Sequence, residues 1–88
     1  MVALRKLTQN FVATQVDDEI LIVDLDGGEL FSLSGTARTL WEAIDGTRTE
    51  SDLASLMASR HEGDTLTIGR DVADLVREFE RAALVEKA

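Results

Sequence analysis

The chain has 88 residues, 44% hydrophobic and 30% charged, with a formal net charge of −8. That length and balance predict a single domain over 1–88, with one modest core and no room for a deep active-site cavity. The absence of cysteine excludes disulfides, thiolate chemistry and Cys-based zinc sites, and the acidic balance disfavours phosphate backbones and anionic lipid as partners.

Residues 1–44 carry 3 basic and 7 acidic side chains and residues 45–88 carry 6 and 10, so each half is −4 and there is no acidic tail. No apolar run approaches the ~20 residues of a spanning helix. Leu7-Thr8-Gln9-Asn10 follows Arg5-Lys6 in place of an apolar export core, so cytoplasmic location is expected.

Residues 1–10 show no clean period; Leu4 and Leu7 are candidates to pack on the domain, and the rest is expected to fray. Phe11 to Val16 is β-branched and aromatic and predicts a strand over 11–16. Asp17-Asp18 is a turn. The second strand, 19–25, holds Ile20-Leu21-Ile22-Val23 in succession, which predicts a central strand covered on both faces. Asp26-Gly27-Gly28 signals a hairpin. The returning strand, 29–33, alternates Phe31 and Leu33 around Ser32.

From Ser34 the period becomes helical. Ser34 offers an N-cap hydroxyl, and Ala37, Leu40, Trp41 and Ile44 form the stripe of a helix over 35–45. Gly46 reads as its left-handed stop. Thr49 caps a second helix, 50–61, with Glu50 and Asp52 in the first turn, Leu53, Leu56 and Met57 as its buried stripe, and Gly63 after it. Thr67 caps a third, 68–83, whose stripe is Ile68, Val72, Leu75, Val76, Phe79 and Ala83. On its polar side Arg70/Asp74, Asp74/Arg77 and Glu78/Arg81 pair at helical spacing. Leu84-Val85 then closes the core. The fold class is α+β, winged helix-turn-helix-like: an N-terminal three-stranded antiparallel sheet followed by three helices.

No catalytic constellation accompanies these elements. His61 is the only histidine and has no ligand partners at metal spacing, so it reads as a surface residue near a helix C-terminus. Trp41 lies in a helical stripe and reads as core. Asp17, Asp18, Glu19, Asp24 and Asp26 lack the pattern of a calcium loop and read as solvated turn acids. Ser32 and Ser34 have no histidine base to activate them. No catalytic residue, metal or cofactor is expected. The feature that invites a partner is the third strand. In a meander it pairs on one side only, and its free edge must be covered or used.

The ordered segments Phe31-Ser32-Leu33-Ser34, Asp45-Gly46-Thr47-Arg48-Thr49, Asp71-Val72-Ala73-Asp74-Leu75-Val76-Arg77-Glu78-Phe79 and Ala83-Leu84-Val85 resemble the PqqD-like family, also called RiPP recognition elements. RiPPs are ribosomally made, post-translationally modified peptides. The likeness runs from Phe11 to Val85. Ser34 stands where asparagine is common and Ala83 where glycine is common. The prolines and tail tryptophan of members serving pyrroloquinoline quinone synthesis are absent, which points to the wider family, including small stand-alone proteins of lasso-peptide clusters.

The resemblance implies a non-catalytic peptide chaperone. It binds the leader segment of a precursor peptide as an extra strand and presents it to a separate modifying enzyme. A lasso-peptide leader peptidase is the first expectation for that enzyme and a radical-SAM enzyme the second. Carried over, Leu30, Phe31, Ser32 and Leu33 supply the pairing strand, and Asp71, Leu75 and Glu78 supply the helical wall. The opposite helix flank, Ala73 and Glu80, is the competing choice. A monomer or weak dimer is expected. The rivals are a small acidic structural or dimerisation module, and a DNA-binding winged helix. The latter is at odds with a third helix that sets Asp71, Asp74, Glu78 and Glu80 against Arg70, Arg77 and Arg81.

Overall fold

The computed structural model describes residues 2–60 and 63–87. The expected surface role of His61, and residue 61 as the end of the second helix, fall outside the described residues. In chain order the elements are β1 (Leu4–Lys6), β2 (Phe11–Val16), β3 (Glu19–Asp24), β4 (Leu30–Leu33), α1 (Gly35–Ala43), α2 (Glu50–Arg60), α3 (Thr65–Arg81) and β5 (Val85–Lys87).

The acidic turn after Val16 and the Asp-Gly-Gly turn fold β2, β3 and β4 into an antiparallel meander with β3 central. The second turn is closed by the Asp24 carboxylate, which accepts from the Asp26 and Gly27 amides, both at 3.1 Å. Gly28 then takes φ +70°. One face of the sheet carries Phe11, Ile20, Ile22 and Leu33 into the core. The other is not covered: Val12, Val23 and Leu30 lie opposite one another in register and are 54%, 39% and 62% exposed. The expectation that β3 is covered on both faces is therefore corrected. The helices all pack on one side, and an unbroken apolar run reads the same whether its second face is covered or open.

Helix α1 brings Leu40 and Trp41 over the sheet. The Trp41 ring packs edge-on between Phe11 and Phe79, each centroid 5.3 Å away. Ser34 occupies the N-cap position of α1, but its side chain makes no capping bond, and Gly35 begins the helix at φ +55°. Thr49 does cap α2: its Oγ1 accepts from the Asp52 amide at 3.1 Å and its own amide donates to Asp52 Oδ2 at 3.0 Å. The third helix begins at Thr65, earlier than expected. Asp64 caps it, accepting from the Leu66 amide, and Thr67 lies inside the first turn with its hydroxyl on Asp64.

Beyond α3, Ala82 is the C-cap and Ala83 takes φ +57°. The Ala83 amide donates to Glu80 O and the Leu84 amide to Phe79 O, the paired bonds of a Schellman turn. That turn sends Val85–Lys87 back to pair with Leu4–Lys6, a second, two-stranded sheet absent from the sequence reading. The Asp45-Gly46-Thr47-Arg48-Thr49 segment anchors this sheet. The Gly46 amide donates to Leu4 O at 3.0 Å and the Leu4 amide to Arg48 O at 2.9 Å. Asp45 Oδ1 accepts from the Thr47 amide and hydroxyl at 2.9 and 2.7 Å, which holds its carboxyl below the usual carboxylate range. Lys6 Nζ lies 4.8 Å over the Trp41 ring. Partial burial pushes the Lys6 pKa down, against the opposing pull of Glu42 and Asp45.

Candidate functional site

The phase of the meander's hydrogen bonds decides which main-chain groups are free. Asp24 N–H donates to Glu29 O and Leu25 N–H to Asn10 O, both at 2.9 Å. Carried along the observed register, in which directly opposed residues alternate between bonded and non-bonded pairs, Ile22 bonds Phe31 and Ile20 bonds Leu33. Leu30 and Ser32 therefore turn their N–H and C=O groups away from β3. Among the described residues, no further strand of this sheet lies beyond them.

Side chains of β4 alternate across the sheet. Phe31 and Leu33 share the core face with Ile22 and Ile20. Leu33 is buried, whereas Phe31 is half-buried against the rim of the core. Leu30 and Ser32 stand on the open face and are exposed. The four residues expected to form a pairing strand thus divide. Leu30 and Ser32 offer free backbone, Phe31 offers a ring at the groove, and Leu33 belongs to the core.

Between this strand and α3 runs a trough. Its middle section, about 380 Å³, is lined by Ser34, Thr36 and Ala37 on one wall and Asp71, Asp74, Leu75 and Glu78 on the other. A section of about 290 Å³ continues it past Glu78 to Arg81 and Ala82, facing Glu29 and Phe31. A third, also about 290 Å³, shares Thr36 and Asp71 and ends at Thr67, Ile68 and Gly63–Asp64. Asp71, Leu75 and Glu78 all line the middle section. Ala73 and Glu80, the competing flank, line none of these three sections.

The chemistry of the trough follows from its lining. Leu75 and Ala37 are half-buried and supply an apolar floor. Asp71, Asp74 and Glu78 are exposed along the α3 wall, and of the three Asp74 has a cation in contact, Arg77 at 3.4 Å. Such a wall favours an extended segment with an apolar residue toward the floor and a cation or hydroxyl toward the carboxylates. Sequence reasoning placed Ala82 with Asp71 and Glu78 but missed Asp74, Thr36, Ala37 and Arg81. Asp74 was within reach, since it lies three residues after Asp71 and four before Glu78. The α1 residues were not, because their approach to α3 is set by tertiary packing.

Residues 19–85 match the family described as Coenzyme PQQ synthesis protein D (PqqD). The chain belongs to the PqqD family. The match begins at β3 and runs into β5, so it takes in β4, the trough and all three helices. Two solved structures share the fold of this PqqD-family chain. One is lasso peptide synthetase B1 complexed with the leader peptide, at 22% identity and TM-score 0.80, covering 94% of this chain and 96% of that one. The other is TbiB1 in complex with the TbiA(beta) leader peptide, at 22% identity and TM-score 0.80, covering 92% and 94%. No curated protein matches the chain.

Proposed function

We propose that this PqqD-family chain is a non-catalytic recognition module, binding the leader segment of a ribosomally made precursor peptide and presenting it to a separate modifying enzyme in the cytoplasm. The carrying observation is the free backbone of Leu30 and Ser32 beside the α3 trough. A leader in extended conformation pairs antiparallel with β4 through these groups. Its alternate side chains then enter the trough beside Phe31, Leu75, Asp71 and Glu78, so backbone bonds supply affinity and the trough supplies selection. Family membership and the leader-bound relatives of the same fold support this reading. Of the enzymes such a module serves, a lasso-peptide leader peptidase is the favoured partner and a radical-SAM enzyme the second.

The test is a titration of fluorescently labelled leader peptide against the wild-type chain and Ser32→Pro. The Ser32 amide points away from β3, so proline removes a donor the fold does not use. It costs the complex one hydrogen bond, ~0.5–1.5 kcal/mol, and strands the leader's carbonyl, ~1–3 kcal/mol. Affinity should fall about 10- to 2,000-fold. Ala13→Pro, the equivalent change on the β2 edge, should leave it unchanged. A folded Ser32→Pro chain that binds the leader as tightly as wild type would refute strand addition at β4.

A further inference from the structure

The sheet has a second free edge. By the same hydrogen-bond phase, Phe11, Ala13 and Gln15 of β2 turn their N–H and C=O groups away from β3, and among the described residues no strand of this sheet lies beyond them. The strand Phe11-Val12-Ala13-Thr14-Gln15-Val16 contains no charge, proline or glycine, and all of it except Phe11 is exposed. Long, uncharged edges of this kind invite pairing, and proteins blunt them with charge, proline or a bulge unless they are used. Running across the open face from this edge to β4 is the row Val12–Val23–Leu30, with Val16 and Leu25 also exposed, at 43% and 59%.

We infer that the β2 edge and the Val12–Val23–Leu30 row form the docking surface for the modifying enzyme, which adds a strand to β2 and lies over the row. This rests on the leader-binding reading of β4. Charge selects the occupant. Carboxylates lie at both ends of the edge: Asp17, Asp18 and Glu19 follow β2 and open β3, while Asp24 lies opposite Phe11 at the other end, with Asp26 in the turn after it. An antiparallel second copy would bring these same ends together and set one −8 chain against another. A partner strand with an aliphatic centre and Lys or Arg at its ends complements both the apolar middle and the acidic flanks.

The row also couples the two edges. Strands lie about 4.8 Å apart, so a leader paired to β4 sits three spacings, roughly 14 Å, from β2. Its open-face side chains extend the row past Leu30. An enzyme seated on the row therefore touches the leader itself and binds the loaded chain more tightly than the empty one. By reciprocity the enzyme also tightens leader binding by the same factor.

Amide hydrogen exchange on the full chain, with leader peptide and the purified leader-processing enzyme of its own gene neighbourhood, tests this. Leader alone should slow exchange at Leu30 and Ser32 and leave Ala13 and Gln15 fast; adding the enzyme should slow Ala13 and Gln15. Val12→Glu should weaken enzyme association at least tenfold with leader affinity unchanged, and the milder Val12→Thr should do so by a smaller factor in the same order. Leader protection at β4 with no enzyme effect at β2, or β2 amides that slow only with rising concentration of the chain itself, would overturn the proposal; the second result assigns the edge to a homodimer. Absence of leader protection at Leu30 and Ser32 would instead overturn the leader-binding reading.

Discussion

Replacing Ala83 with glycine should stabilise the protein. Ala83 holds the left-handed position of the Schellman turn that ends α3, at φ +57°. A left-handed backbone costs an L-residue roughly 1–2 kcal/mol. Glycine removes that cost and returns about 0.5–1 kcal/mol through the greater freedom of its unfolded chain. The Ala83 methyl is exposed, so its loss forfeits no packing, and the bond from Asn10 Nδ2 to Ala83 O at 3.0 Å uses a carbonyl that glycine keeps. The net gain is about 0.5–1 kcal/mol, which in a domain of this size raises Tm by roughly 2–8 °C. Thermal unfolding followed by circular dichroism measures it, with Ala83→Val as the opposite control, expected to fall below wild type. An unchanged or lowered Tm in Ala83→Gly would refute the assignment of strain to this turn.

Leu4→Ala should cost ~2–5 kcal/mol in chemical denaturation, because Leu4 is 1% exposed; a frayed terminus would cost less than ~0.5 kcal/mol. Asp45→Ala should lower the urea midpoint at neutral pH, through loss of the bonds to Thr47 and Arg48. Because the folded-state pKa of Asp45 is depressed, its stabilisation is present above the unfolded carboxylate pKa and is lost as pH falls through the folded value. The gap between wild type and Asp45→Ala should therefore close below about pH 4, and midpoints that stay parallel through the acid range would contradict that origin. Asp71→Asn combined with Glu78→Gln should weaken a leader carrying Lys or Arg by a few-fold to ~30-fold, on the scale of two exposed ion pairs. Salt titration checks this, since the difference should vanish near 1 M.

The meander and the helices were legible because each repeats its period long enough to be recognised: Phe31 and Leu33 alternate, and Val72, Val76 and Phe79 recur on one helical face. The β1–β5 sheet was not. Three-residue strands carry too few alternations, and Leu4 meets Lys87 across almost the whole chain. The start of α3 was misplaced because Leu66, 73% exposed, lies off the apolar stripe, which hid the capping role of Asp64. At the candidate site the free edge was readable, whereas spacing alone left the Asp71–Glu78 and Ala73–Glu80 flanks of the helix as competing choices. The division of β4 into outward Leu30 and Ser32 and inward Phe31 and Leu33 was not readable, because it depends on which opposed pairs are hydrogen-bonded. Ala83, which stands where the resemblance leads one to expect glycine, fills the left-handed position of the turn.

Strand addition at β4 is tested most directly by nuclear magnetic resonance on the isotope-labelled chain bound to unlabelled leader peptide. Cross-strand contacts from the Leu30 and Ser32 amides to the leader backbone are predicted, together with contacts from leader side chains to Phe31 and Leu75. A bound leader whose contacts fall on β2, or on no strand edge, would contradict the account.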